Sequence, residues 1–115
     1  MPRMIDLPRY SPGFRSVWWP PGHDFAFTKG QAAVVAILWG LWLRRTPEIG
    51  DAELRALADV NVCMATLFRY SVRQSKKRKM VRHPALGVMI IPGRTKGTWR
   101  LKGMAPAELA LSPRD

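Results

Sequence analysis

From Gln31 to Arg45 the chain is almost wholly apolar: Ala32, Ala33, Val34, Val35, Ala36, Ile37, Leu38, Trp39, Leu41, Trp42 and Leu43 are interrupted only by Gly40. A helix that is hydrophobic on nearly all sides is stable in water only when other elements cover it. Its start is marked. Thr28 can cap the amides of Gly30 and Gln31, and Gln31 stands at the return position of a capping box. Arg44 and Arg45 at the far end favour the negative pole of the helix dipole. The run Ala32–Leu43 is twelve residues long, short of the ~20 that a membrane-spanning helix needs. The segment is therefore expected to be a buried spine around which the rest of the chain is arranged.

Residues 1–27 carry large apolar groups suited to that covering: Phe14, Trp18, Trp19, Phe25 and Phe27. They also carry Pro2, Pro8, Pro12, Pro20 and Pro21, which forbid a regular helix and favour extended backbone. An extended arm, packing its aromatics on the domain, is the expected result. The competing expectation is a docking strip for a protein partner or for a second copy of the chain, making a homodimer.

After the spine, Thr46–Gly50 has room for a turn and a brief strand. Asp51 is placed to cap a second helix whose Leu54, Leu57 and Ala58 share a face. Asp59-Val60-Asn61 breaks it, with Asn61 as the cap of a third helix reaching Ser75. On that helix Met64, Leu67, Phe68 and Ser71/Val72 would face the core, and Ala65, Thr66, Arg69, Tyr70 and Arg73 would face outward. The period then changes from helical to alternating. Val88–Ile91 reads as a strand, Pro92–Gly97 as a loop, and Thr98–Leu101 as the returning strand with Trp99 and Leu101 inward. Residues 103–115 read as a tail with at most a helical turn near Glu108–Leu111.

The chain of 115 residues has net charge +11, and the excess is segregated. Residues 69–102 hold Arg69, Arg73, Lys76, Lys77, Arg78, Lys79, Arg82, Arg94, Lys96, Arg100 and Lys102 without one acid, whereas residues 47–68 are net acidic. A cationic surface confined to one third of the molecule calls for an anionic partner.

The order of long helix, short strand, short helix, tight turn, basic helix and two-stranded hairpin resembles the winged helix-turn-helix family of DNA-binding domains. The resemblance covers residues 28–102. It implies an α+β fold with a three-helix core and a β-hairpin wing, here preceded by the extended arm, and double-stranded DNA as partner. Residues 61–75 would be the recognition helix in the major groove, and 88–101 the wing on the backbone. Arginine can read guanine and asparagine adenine in that groove, so Asn61, Thr66, Arg69, Tyr70 and Arg73 are the expected base contacts. Lys76, Lys77, Arg78, Lys79, Arg82, Arg94, Lys96 and Arg100 are the expected backbone contacts, giving affinity without sequence information. A small transcriptional regulator is the leading expectation. The alternatives are a protein-interaction module docking through its aromatic arm on a larger nucleic-acid machine, or a binder of structured RNA.

Other classes find little support. Cys63, the single cysteine, makes no internal disulfide and reads as a small buried hydrophobe. His23 and His83 are sixty residues apart, which does not suggest a zinc site. No Ser-His-Asp set, paired carboxylates or phosphate-cradling glycine loop is apparent, so neither catalysis nor a cofactor or metal is expected. The first thirty residues lack an apolar core with a cleavage site, and a cytoplasmic, nucleoid-associated location is the corresponding expectation.

Overall fold

The computed structural model describes residues 7–45, 48–74 and 77–103. The expected helical turn near Glu108–Leu111 lies outside them, as does Lys76. The fold is α+β, with three α-helices, a short 3-10 helix at Pro12–Phe14 and three small antiparallel sheets among the described residues.

The spine forms as the sequence dictates. Helix α1 spans Lys29–Leu43, and both halves of the capping box are made at Thr28 and Gln31. Val34, Val35, Leu38, Trp39 and Trp42 are buried. The amide side chain of Gln31, itself buried, accepts from the Thr28 N–H at 2.9 Å and donates to the Leu67 carbonyl at 2.8 Å. One residue thus caps α1 and ties its first turn to a segment 36 positions away.

The proline-rich beginning is a meander of β1 (Arg9–Tyr10), β2 (Ser16–Trp19) and β3 (His23–Ala26). Pairing of Val17 with Phe25 sets its register. Along β2 the pleat sends Val17 and Trp19 inward while Ser16 is exposed. Trp19 meets Trp39 and Trp42 of α1 with ring centroids 6.1 and 5.3 Å apart. Phe14 and Tyr10 stack on each other and reach the edge of Trp39. These rings are therefore spent largely on covering the spine.

Strand β4 (Ile49–Gly50) leads into α2 (Asp51–Ala58). Gly50, not Asp51, is the N-cap residue, and Asp51 begins the helix proper. Leu54 is completely buried, but Leu57, expected beside it on the core face, is 61% exposed. Asp59 ends the helix in the left-handed conformation with φ 58°.

The third helix is the main departure from the sequence reading. Helix α3 comprises only Met64–Leu67, with Cys63 as its N-cap residue. Asn61 does not cap it, and Cys63 is exposed rather than buried. From Arg69 the chain becomes β5 (Arg69–Gln74), paired residue for residue with β6 (Lys77–Arg82). The physical reason is a missing stripe. Met64 and Phe68 are fully buried, but beyond Phe68 only Val72 continues that face, beside Ser71 and Ser75, so a longer helix would have little apolar side to bury. Tyr70, Val72 and Val81 instead favour strand, and six cross-strand pairs satisfy the backbone.

The last sheet orders its strands β4-β8-β7, with β7 at Ile90–Pro92 and β8 at Thr98–Leu101. The strand expected at Val88–Ile91 thus begins later, because Ala85–Met89 form a tight turn around the Ala85 carbonyl. Leu101 is buried, whereas Trp99 is only half-buried, as are Thr98 and Arg100. Strand β8 packs on α1, and the Trp42 indole donates to the Gly103 carbonyl at 3.2 Å.

Candidate nucleic-acid interface

The β5–β6 ribbon is paired to no other strand among the described residues. An isolated two-stranded ribbon is marginal in water, so its base needs an anchor. Phe68 enters it and His83 leaves it, both buried, with the His83 amide donating to the Phe68 carbonyl at 2.7 Å. The Ala85 amide donates to His83 Nδ1, so the proton sits on Nε2, which donates to the Ala26 carbonyl at 2.7 Å. The His83 ring stacks on Phe27 and meets Phe68 edge-on. The ribbon is rooted in the core through this aromatic cluster and through β3.

Its register places like charges opposite one another. Arg69 pairs with Arg82 and Arg73 with Arg78, while Gln74 faces Lys77 across the end. Like charges directly opposite in a ladder are destabilising, and no acid occurs between Arg69 and Lys102 to offset them. Among the described residues the ion pair is that of Arg55 with Asp51, outside the ribbon. Arg69, Lys77, Lys79 and Arg82 are exposed.

The hairpin loop between β7 and β8 is the second cationic element. Arg94 and Lys96 are exposed there, and an acid from a distant part of the chain holds the loop's shape. Glu48 accepts from the Arg94 and Thr95 amides at 2.7 and 3.0 Å, one through each carboxylate oxygen. Hydrogen bonds from Thr95, side chain first and then backbone, together with the Arg94 amide, hold the Glu48 carboxyl below its ordinary value. Gly93 makes room for this: a Cβ there would meet the Thr98 hydroxyl and come within 2.8 Å of Glu48. Asp51 completes the brace, accepting from Arg55 at 2.7 Å and from the Trp99 indole at 3.1 Å.

Between α3, the ribbon base and the β7–β8 sheet lies a groove of about 680 Å³. Arg69, Met80 and Arg82 border it from the ribbon, Ala65 from α3, and Leu86, Ile90, Pro92 and Trp99 from the segment leading to and through the last sheet. The ribbon and the β7–β8 sheet therefore share a border.

The expected site residues are distributed as follows. Asn61 is exposed in the bend before α3, and Thr66 is exposed on α3, where its hydroxyl lies 3.3 Å from Cys63 Sγ. Hydrogen bonds from the Thr66 side chain and amide lower the Cys63 thiol from its ordinary value. Arg69, Tyr70 and Arg73 belong to β5 and not to a helix face, so they do not project together with Thr66 at helical spacing. Lys77, Arg78, Lys79 and Arg82 belong to β6. Arg100 turns to the end of its strand, donating to the Leu101 and Gly103 carbonyls at 3.3 Å each. The sequence reading missed Glu48, Asp51 and Met80. No local signal marks the contacts of the two acids with the β7–β8 hairpin, whose residues are more than forty positions away. Met80, 58% exposed amid cations, becomes conspicuous only once 77–82 is a strand.

No family model, curated protein or solved structure matches the chain.

Proposed function

We propose that this protein binds double-stranded DNA through its basic β-ribbon, with the wing loop as a second contact. The observation that carries the reading is an acid-free ribbon whose register sets arginine against arginine, an arrangement that a polyanion would relieve. A B-form major groove admits a two-stranded ribbon as readily as a helix. The A-form major groove of RNA is too narrow for side chains to read, so duplex DNA is favoured over duplex RNA. Arg69, Arg73, Arg78 and Arg82 are the candidates for base or phosphate contact from the ribbon, with Lys77, Lys79, Arg94 and Lys96 contacting phosphates.

The scaffold supports a winged-helix reading: α1, β4, α2, α3 and the β7–β8 hairpin follow in the implied order, and β4 closes on that hairpin. The ribbon then stands where a long recognition helix was expected. Titration of a labelled random duplex at several salt concentrations tests the reading. Six to ten phosphate contacts imply a loss of roughly 10³–10⁵ in affinity between about 50 and 200 mM salt. A flat salt response, or an equal preference for duplex RNA, contradicts it. Selection from a random duplex pool then separates a regulator that reads a site from a general binder.

A further inference from the structure

We infer that the groove at the ribbon base is a subsite for one unpaired nucleotide next to the bound duplex; this rests on the duplex-binding reading above. The groove has two chemically distinct borders. Arg69 and Arg82, opposite each other at the first ribbon pair, supply positive charge. Pro92 and Trp99, with the edge of Leu86, supply an apolar wall, and Ile90 is buried behind it. The Trp99 N–H is already committed to Asp51, so the indole offers the groove a ring without an unmet donor. The groove lining contains no carboxylate. Its volume of about 680 Å³ falls within the roughly 300–1,000 Å³ of small-ligand clefts.

A ligand matching both borders has a flat apolar body joined to an anion. A nucleotide is such a body: its base lies against Trp99 and Pro92, and its phosphate lies between the two guanidinium groups. A base inside a duplex has both faces covered by stacking and cannot enter, so the nucleotide must be unpaired, as at an overhang. Base–aromatic contact is tolerant of sequence, and the subsite would accordingly sense strand end rather than base identity.

The test compares a blunt duplex with the same duplex carrying a short single-stranded overhang, at one salt concentration. The overhang is expected to bind about tenfold more tightly, the scale of one base stacked on an aromatic ring. Ala65→Phe places a ring in the groove without altering charge and is expected to erase that preference while blunt-duplex affinity persists. Thymidine monophosphate provides a check independent of any variant, because it should compete away the overhang's advantage and leave blunt binding untouched. Equal binding of blunt and overhang DNA by the unaltered protein overturns the subsite and leaves the duplex reading standing. Failure to bind either one overturns both.

Discussion

Glu48 illustrates how a single side chain positions a basic loop without touching its charges. Its carboxylate holds two consecutive loop amides, and these bonds favour the ionised form. Because the folded pKa is depressed, the stabilisation is present above the unfolded value and is lost as pH falls through the lower, folded one. The Arg94 and Thr95 amide resonances are therefore expected to titrate together, with a midpoint below the ordinary 4.5. Glu48→Gln should abolish that titration. A midpoint at or above the ordinary value would contradict the account. The same scale separates core from surface along one short stretch. Phe68→Ala, at a site with 0% exposure, should cost about 3–5 kcal/mol in denaturant unfolding. Met80→Ala, at 58% exposure, should stay within about 0.5 kcal/mol.

At the scale of elements, the segments that hold the fold together differ from those that carry the cations. Thr28→Ala removes the hydroxyl that caps α1 and should lower stability by about 0.5–2 kcal/mol, measured by thermal or denaturant unfolding. The spine was legible in the sequence because its signal is local: a cap, an apolar run and basic residues at the end. The short strand at Ile49–Gly50, helix α2 and the returning strand Thr98–Leu101 were legible for similar reasons. The ribbon was not. Met64, Leu67 and Phe68 repeat at helical spacing, and extending that period through Ser71/Val72 makes a strand look like the end of a helix. The opposing signal was present in Tyr70-Ser71-Val72 and Met80-Val81, two strand-forming runs separated by a polar stretch. What decided between them is tertiary: Phe68 and His83 are both held in the aromatic cluster beside β3, which brings residues 69 and 82 together and starts a ladder. Leu57 failed for a related reason, since helical period alone does not reveal how wide a face its neighbours cover.

For the whole molecule the governing property is charge segregation. The acidic stretch 47–68 supplies Glu48 and Asp51, which brace the β7–β8 hairpin, while residues 69–102 carry the cations. No helix among the described residues is long and apolar enough to cross a membrane. The extents of 51 × 30 × 25 Å describe an elongated body. The most direct test of the central claim replaces residues 70–81 by Asn-Gly, a two-residue hairpin turn, joining Arg69 to Arg82 across their existing pairing. Phe68 and His83 stay in place, so the domain should still unfold cooperatively. Duplex DNA affinity should fall, and the log–log salt slope should shrink by up to about four as ribbon cations are lost. A folded variant that binds duplex DNA with unchanged affinity and unchanged slope would contradict the account.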